Sequence, residues 1–394
     1  MEAPIPPHMP VKHRRVALLL NLQIGYCRRA VAGISAYAAS RNWLLEEMPA
    51  NEAAESRLKL SNPYGIISHV LDEPVAEMLT RIGRPVVSVS STITDLPFPT
   101  IDVDHDAVGR LAAEHLIELG YRTFGFLGSA SAGFSLEREE GFCDELSKRG
   151  FSAQSHHAEY VLRPPFDQYS KGSEEQARQW LEKLPKPVGI LCSNDEHARM
   201  LSFLCQSSGI SVPRDVALLG VDNDETICSL CFPPISSVDN PAEKIGYRAA
   251  QLLEAVARGR LEGHSRESVR PIHIVERQST DRLATEDPVI RSAIAFIRRS
   301  LRDTDLSVND VAEHISVSRR KLERTFSETL GITVLAAIHR YRIRRAKHLL
   351  HSTDLTVATV ARECGYSDHR RLAMVLKSQS GMTPTQFRNH CRFD

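Results

Sequence analysis

The stretch LSVNDVAEHISVS at residues 306–318 occurs a second time, with the same spacing, as LTVATVARECGYS at residues 355–367. The first copy continues as RRKLERTF from residue 319, and the second as DHRRLAMVL from residue 368. One extra residue enters the second copy after the turn, so that Phe326 corresponds to Leu376. This repetition predicts two copies of one structural unit in the last quarter of the chain.

Each copy has the signals of a helix, a tight turn and a second helix. Gly365 suits the turn because glycine adopts positive φ without strain. Hydroxyl side chains are placed to accept hydrogen bonds from the first turn of each helix. These predicted caps are Ser307 and Ser318 in the first copy and Thr356 and Ser367 in the second.

The second helix of each copy has one apolar and one basic face. Leu322 and Phe326 lie four residues apart and predict a buried face. A helix of this size fits the major groove of DNA, and a helix-turn-helix places its second helix there. The residues expected to contact DNA are Arg319, Arg320, Lys321, Glu323, Arg324, His369, Arg370, Arg371 and Met374.

The second copy is followed by GMTPTQFR at residues 381–388. Together with Gly-Tyr-Ser at 365–367, this signature resembles the DNA-binding domain of the AraC/XylS family over roughly residues 286–390. The family usually has Phe where Leu372 stands and a basic residue where Met374 stands, and Arg370 and Arg371 are expected to compensate. The alternative is that this second helix contacts mainly the phosphate backbone and reads few bases.

Charge is distributed unevenly along the chain. The protein has 394 residues, of which 42% are hydrophobic and 25% charged, as is typical of a globular protein of two or three domains. Residues 285–394 contain 19 Lys+Arg and 12 Asp+Glu, net +7, whereas the remainder contains 30 and 37, net −7. A basic C-terminal segment on an acidic body predicts that the C-terminal segment alone meets an anionic polymer.

The eight cysteines are irregularly spaced, which is typical of reduced thiols in a cytosolic protein. Cys228 and Cys231 form a lone C-x-x-C without the second ligand pair that a zinc site needs. We expect these two side chains to pack in a core, with a redox role as the alternative. No apolar stretch approaches the roughly 20 residues of a membrane span. The sequence therefore predicts a cytoplasmic protein that does not act at a membrane.

Strands alternate with helices from Arg15 to Val275. The predicted strands are 16–21, 65–70, 85–89, 124–128, 188–192, 216–221 and 272–275, and the predicted helices are 28–40, 73–82, 106–119, 136–149, 174–184, 196–208 and 241–258. This alternation predicts parallel sheets with helices on both faces. Because about 265 residues exceed one typical core, we expect two α/β lobes.

Polar side chains follow several of these strands, and ligands of such folds bind at the carboxyl ends of the strands. Carboxylates, amides, an arginine and an aromatic ring suit a sugar, whose hydroxyls form paired hydrogen bonds. The candidate effector-binding residues are Gln23, Tyr26, His69, Ser129, Arg138, Asn194 and Asp222. Simpler roles remain open: Asp222 in a turn, Arg138 in a solvated charge run, Tyr26 in a core and His69 as a structural histidine.

DVDHDAVG at 102–109, SND at 193–195, GVDN at 220–223 and PPISSVDNP at 233–241 resemble the sensor core of the LacI/GalR family. The resemblance extends from about Arg15 to Asp281. It implies that Arg138, Asn194 and Asp222 contact a small-molecule effector. Cys27 and His69 stand where acidic residues near a sugar are expected, so the effector stays open to another sugar or a purine.

The predicted fold is an α/β periplasmic-binding-protein-like, two-lobe sensor domain followed by an all-α domain with two helix-turn-helix modules. The expected boundaries are a loose N-terminus at 1–13, the sensor at 14–281, a linker at 282–290 and an AraC-type domain at 291–392. Its helix-turn-helix modules are expected at 307–328 and 356–379.

These two resemblances imply a sequence-specific transcription regulator that activates in response to a pentose such as xylose. Its expected partners are double-stranded DNA, the effector, a second copy of the chain in a homodimer and RNA polymerase. Repression and a non-sugar effector are the alternatives within this class, and the orientation of the DNA half-sites stays open. The sequence lacks a nucleophile elbow, a Walker loop and a G-x-G-x-x-G fingerprint, so an enzyme or a stand-alone sugar-binding protein is the less favoured class. We expect no catalytic residue, no metal and no cofactor.

Overall fold

The computed structural model describes residues 13–158, 172–261, 264–281 and 287–391. Residues 1–12 of the expected N-terminal segment and residues 282–286 of the expected linker lie outside this part of the chain. Among the described residues, no helix is both long and apolar enough to cross a membrane.

Twelve strands are found in the described residues. In chain order they are β1 (Arg14–Leu19), β2 (Trp43–Glu47), β3 (Gly65–Ser68), β4 (Val86–Ser88), β5 (Thr100–Val103), β6 (Phe124–Gly128), β7 (Ala153–His157), β8 (Val188–Cys192), β9 (Val216–Val221), β10 (Ser236–Asp239), β11 (Arg266–Val269) and β12 (His273–Val275).

The α-helices of the same ranges follow the strands in the first two thirds of the chain and stand alone in the last. They are α1 (Gly25–Arg41), α2 (Glu55–Ser61), α3 (Glu73–Ile82), α4 (His105–Glu118), α5 (Gly133–Lys148), α6 (Ser173–Lys183), α7 (Asp195–Ser207), α8 (Glu225–Leu230), α9 (Ala242–Ala257), α10 (Pro288–Arg299), α11 (Val308–His314), α12 (Arg319–Leu330), α13 (Val334–Ser352), α14 (Val357–Glu363), α15 (His369–Ser380) and α16 (Pro384–Cys391).

The chain divides into two compact units. The first unit, which we call the first lobe, comprises the described residues 13–105, 130–137, 241–261 and 264–270. Its six-stranded sheet has the order β11-β5-β4-β3-β1-β2, and every pairing is parallel. The central strands are buried throughout, as expected for a parallel sheet covered on both faces.

The second unit contains the other sheet and all the C-terminal helices. Its sheet part, the second lobe, has the order β12-β10-β9-β8-β6-β7, with β12 alone antiparallel to its neighbour. The helical domain, residues 287–391, has two apolar cores of its own. One lies around Ile297, Leu322, Phe326 and Ile338, and the other around Leu350, Val360, Leu372 and Phe387. The predicted class, α/β sensor lobes followed by an all-α domain, is confirmed.

The strand order of each sheet fixes where a ligand can bind. In the first lobe the order reverses between β1 and β3, and in the second lobe between β6 and β8. Loops that leave neighbouring strands at such a switch point run in opposite directions, which opens a crevice at the carboxyl ends of the strands. Segment 20–23 and His69 follow β1 and β3, while Ser129, Asn194 and Asp222 follow β6, β8 and β9.

Three of the four predicted helix caps are confirmed. Ser307, Ser318 and Thr356 each accept a backbone N–H from the helix that follows. The prediction for Ser367 was wrong, because Asp368 is the cap and its carboxylate accepts the N–H groups of Arg370 and Arg371 at 2.8 and 2.9 Å. The extra residue of the second copy moves the helix start by one, and a carboxylate interacts favourably with a helix N-terminus.

Candidate functional sites

The second lobe brings together Arg138, Asp222 and Asn240. Arg138 is 4% exposed, and its guanidinium Nη2 lies 3.6 Å from Oδ1 of Asp222. Oδ1 of Asp222 also accepts a 2.7 Å hydrogen bond from Nδ2 of Asn240. The interpretation of Arg138 as part of a solvated charge run is therefore wrong, because the side chain is buried and faces a carboxylate. Arg138 also donates to the carbonyl of Ser193, which holds it against the end of β8.

Asp222 and Asn223 leave β9 in an unusual backbone conformation. Their φ angles are 102° and 50°, in the left-handed region that side chains other than glycine rarely adopt. Such strain persists where surrounding contacts hold it, and it concentrates at ligand sites. The Asp222 side chain keeps about 23% of its surface exposed, so its carboxylate remains accessible to a ligand.

Asn194 begins α7 as its cap. Its Oδ1 accepts a 2.8 Å hydrogen bond from the backbone of His197 and lies 2.9 Å from Nδ1 of the same residue. His197 is buried, and burial together with the charge of Arg138 lowers its pKa to about 3, so it is neutral. Ser129 is buried at the end of β6. Because Oδ1 of Asn194 is bonded to His197, the amide nitrogen of Asn194 is the atom that can donate to a ligand.

Asp195 lies behind this group of residues and was not among the sequence candidates. Its carboxylate accepts Ser237 Oγ at 2.6 Å and the backbone N–H of Asp224 at 2.7 Å. Burial, followed by the charge of Asp222, raises the pKa of Asp195 to about 8. Asp195 and Asn240 both stand in the motifs quoted above; Asn240 directly follows β10, and Asp195 lies three residues beyond the end of β8. That position was the signal that could have identified them.

The first lobe places Tyr26 and His69 side by side, with ring centroids 6.0 Å apart. The Tyr26 hydroxyl donates to the carbonyl of Val89 at 3.0 Å and to Asp102 Oδ1 at 3.2 Å. Tyr26 is 7% exposed, so much of this residue packs in the interior of the lobe. Gln23 is exposed on the loop that precedes α1.

Asp102 organises this part of the first lobe. It accepts hydrogen bonds from Tyr26 and from the backbone and hydroxyl of Ser91, at 2.7 and 2.8 Å, and lies 3.1 Å from His105 Nε2. Burial alone would raise the pKa of Asp102, but His105 and the donors around it hold that pKa well below its usual range.

His69, unlike Asp102, is uncharged. Burial lowers the pKa of His69 to about 4, although the negative charge of Asp102 opposes the shift. Its Nδ1 is buried without a hydrogen-bond partner among the described residues. A neutral imidazole can donate to or accept from an uncharged ligand, so the structure keeps both the ligand-contact and the structural role of His69 open.

The helical domain presents its two recognition helices, α12 and α15, with their apolar faces buried. Leu322, Phe326, Leu372 and Leu376 are fully buried. All the residues expected to contact DNA on these helices are exposed, namely Arg319, Arg320, Lys321, Glu323, Arg324, His369, Arg370, Arg371 and Met374. Leu372, where the AraC/XylS family usually has Phe, thus serves the core rather than the surface.

Two of these exposed residues bind each other. Nε of Arg319 lies 2.8 Å from Oε1 of Glu323, and its Nη1 lies 3.3 Å from Asn309. Arg320 and Arg324 are one turn apart on the same exposed face, and Arg324 has a longer contact of 3.9 Å with Glu328. Arg319 is therefore held by two contacts within the helical domain, whereas Arg324 has one longer contact.

Cys228 and Cys231 lie in the apolar core of the second lobe. Burial raises the pKa of Cys231 to about 11 and that of Cys228 further, so both thiols are protonated near neutral pH. Protonated, buried thiols react slowly, which favours the packing role over the redox alternative. No group of three or more potential metal ligands occurs among the residues that the structure describes.

Known proteins match both domains. Residues 113–280 match the family described as "Periplasmic binding protein-like domain", and residues 311–390 the family described as "Helix-turn-helix domain". The chain is 30% identical over 394 residues to the xylose operon regulatory protein of Haemophilus influenzae, covering 97% of this chain and 100% of that protein.

Two further matches also extend over nearly the whole chain. The xylose operon regulatory protein of Escherichia coli K12 is 28% identical over 390 residues, covering 97% of this chain and 98% of that protein. A solved structure described as the xylose-binding transcription activator xylR has 26% identity and a TM-score of 0.61, covering 97% and 99% of the two chains.

Proposed function

The chain belongs to the family of xylose operon regulatory proteins, and from this premise we propose that it is a transcription activator whose effector is a pentose, D-xylose or a near relative. The observation that best supports a neutral polyol is the group formed by Arg138, Asp222 and Asn240. A carboxylate held between a guanidinium and an amide can accept two hydroxyl groups, while its neighbours donate to the same hydroxyl oxygens. We also propose the domain boundaries that were predicted from the sequence.

Each candidate residue has a proposed role. Asp222 and Asn194 bond hydroxyls, and Arg138 donates to a further hydroxyl oxygen. Tyr26 packs against the sugar, and His69 supplies an uncharged hydrogen-bonding nitrogen. Gln23 and Ser129 complete the set of polar contacts. His69 and Cys27 in place of acidic residues make the first lobe less negative, which suits an uncharged ligand better than a cationic one.

For DNA, we propose that the recognition helices of one helical domain enter successive major grooves, about 10 bp apart. From the sequence, Arg320, Glu323 and Arg324 are expected to read bases in the first groove. Because Glu323 binds Arg319, we assign base reading to Arg320 and Arg324 and assign positioning of the helix to Arg319, Lys321 and Glu323. His369, Arg370, Arg371 and Met374 contact the second groove. A regulator that reads operator DNA works in the cytoplasm and, as an activator, contacts RNA polymerase.

A homodimer is the proposed assembly, and exposed apolar side chains on the second lobe support it. Phe203 on α7 is 62% exposed, and Leu230 and Phe232 at the end of α8 are 77% and 78% exposed. Helices α7 and α8 pack against each other. Large exposed apolar side chains on packed elements are typical of an interaction surface between proteins.

The effector is tested by thermal denaturation of the full-length protein with a panel of pentoses, hexoses, uronic acids and purines. We expect D-xylose or a related pentose to raise the unfolding temperature, because a ligand that binds the folded state stabilises it. Isothermal titration of the Asp222→Asn variant should then give at least about tenfold weaker binding, since a hydrogen bond to a charged group contributes roughly 1.5–3 kcal/mol.

The Glu225→Gln variant is the matched control, because Glu225 is exposed three residues further along the same segment. If a purine raises the unfolding temperature and no sugar does, the effector is a purine, and the proposal of a transcription regulator still holds. If the output of a promoter reporter falls when the effector is added to cells expressing the protein, the protein is a repressor rather than an activator.

A further inference from the structure

The helix α13, which joins the two helix-turn-helix modules, is docked on the second lobe by two carboxylates. The Tyr341 hydroxyl donates to Asp281 Oδ2 at 2.8 Å, and Arg344 lies 3.5 Å from the same oxygen. One turn earlier, Arg340 lies 3.5 Å from Glu276. Burial alone would raise the pKa of Glu276, but His115, Arg340, Arg344 and Lys347 lower it to about 2, so the carboxylate is charged. We call these three pairs the docking contacts.

The docking contacts are polar, and three of their residues, Glu276, Tyr341 and Arg344, line a cavity. This cavity of about 460 Å³ lies between the β12 segment of the lobe and α10 and α13 of the helical domain. Each domain has its own apolar core, in which side chains interlock tightly. Charged pairs beside a cavity can exchange partners at smaller cost than such a core can repack. The docking face is therefore suited to a change of arrangement.

The docking contacts connect directly to the turn that contains Asp222. Arg277, next in sequence to Glu276, donates from Nη2 to Asn223 Oδ1 at 2.8 Å and from Nη1 to the carbonyl of Ile235 at 2.9 Å. Asn223 follows Asp222, and both residues have positive φ. A change in the backbone conformation of Asp222 would therefore move the side chain of Asn223, which binds Arg277.

We propose that Asn223 and Arg277 are the positioning residues that couple the effector to DNA binding, through Glu276, Asp281 and α13. This inference rests on the proposed function, and it adds the route by which that function is regulated. An effector that bonds Asp222 favours one arrangement of the strained turn. Arg277 then favours one arrangement of the docking contacts, and α13 sets how the two recognition helices meet DNA. A ligand shifts such an equilibrium only through its different affinity for the two arrangements.

The test measures coupling rather than binding alone. Affinity of the full-length protein for an operator duplex, obtained by selection with the wild type, is measured by fluorescence anisotropy with and without saturating D-xylose. The ratio of the two affinities is the coupling factor, which is typically about 5 to 150 in allosteric proteins. Isothermal titration gives the affinity for D-xylose itself.

The variants are Arg277→Ala and Asn223→Gly. Glycine tolerates the positive φ of position 223, so this second variant removes the amide side chain without adding strain. We expect both variants to fold, to bind D-xylose within about threefold of the wild type, and to have a coupling factor within about twofold of one. Arg214→Ala, an exposed arginine on the same lobe, should behave as the wild type.

Each other outcome overturns the inference. Wild-type coupling in both variants would mean that the route does not pass through these residues. A loss of D-xylose affinity in both would assign them to the effector site instead. If the operator affinity of the wild type does not change with D-xylose or with any other sugar, the proposed function is wrong, and this inference is wrong with it.

Discussion

The hydroxyl of Tyr341 in the helical domain donates a 2.8 Å hydrogen bond to the carboxylate of Asp281 at the end of the second lobe. Both side chains are at most 5% exposed. Burial and the charge of Asp281 raise the pKa of Tyr341 far above its usual range, so the phenol remains a donor throughout the physiological pH range. Because the acceptor is charged, this bond should contribute about 1.5–3 kcal/mol to stability.

We therefore predict that Tyr341→Phe lowers the free energy of unfolding of the helical domain by about 1.5–3 kcal/mol, measured by denaturant titration followed by circular dichroism. Arg344 remains beside Asp281 in the variant and limits the loss. Tyr64→Phe, in the first lobe, should change the stability by less than about 0.5 kcal/mol. A Tyr341→Phe variant as stable as the wild type would show that this contact does not stabilise the docked helix.

Much of the fold was predictable because its signals are local. The repeated helix-turn-helix pattern and the buried parallel strands follow from caps, glycines and apolar periodicity, which neighbouring residues determine. Five of the twelve described strands, β2, β5, β7, β10 and β11, were not predicted from the sequence. Two of them, β5 and β10, have the sequences TIDV and SSVD, which contain Asp102 and Asp239. Aspartate is unfavourable in strands, and Asp102 is tolerated because donors distant in sequence, including Tyr26 and Ser91, surround it.

The candidate site was predictable to the same extent. Position after a strand pointed to Asn194 and Asp222, position in the helix beyond β6 pointed to Arg138, and the family resemblance implied a role for all three. Asn240 and Asp195 also follow strands but were not selected, because which of several polar residues after the strands comes close to Asp222 depends on which strands are neighbours in the sheet, and the sequence order does not reveal this. The docking contacts escaped for the same reason, since Asp281 and Tyr341 are sixty residues apart.

Specific reading of DNA should depend on Arg324 more than on Arg319. Arg319 is held by Glu323 and Asn309, whereas Arg324 has a single contact of 3.9 Å within its helix. We predict that Arg324→Ala reduces discrimination between the operator and a duplex with one altered base pair by about 1–3 kcal/mol, in anisotropy competition assays. Arg214→Ala should leave discrimination unchanged. An equal loss of affinity for every duplex would identify Arg324 as a phosphate contact.

The apolar surface of Phe203, Leu230 and Phe232 should hold the dimer together. We predict that Phe232→Asp shifts the protein from dimer to monomer at micromolar concentration in sedimentation velocity, because burying an unpaired carboxylate in an interface is costly. Leu60→Asp, at an 89% exposed leucine of the first lobe, is the control and should leave the dimer intact. If the Phe232→Asp protein is a dimer, the interface lies elsewhere. If the wild type is a monomer, the proposed dimer is wrong.

Acid should destabilise the protein in part through His197. Burial and the charge of Arg138 lower the pKa of this imidazole from its ordinary 6.5 to about 3, so the unfolded chain binds a proton between these values that the folded chain does not. Stability is therefore fully present above pH 6.5 and decreases as the pH falls toward 3. Between pH 7 and pH 5 this residue alone should remove about 2 kcal/mol from the free energy of unfolding. Denaturant titrations at the two pH values should show a loss that is smaller by about this amount in His197→Gln than in the wild type. His264→Gln, at an exposed histidine, should keep the wild-type loss. If His197→Gln loses as much stability as the wild type on acidification, then His197 takes up its proton equally in the folded and unfolded chains.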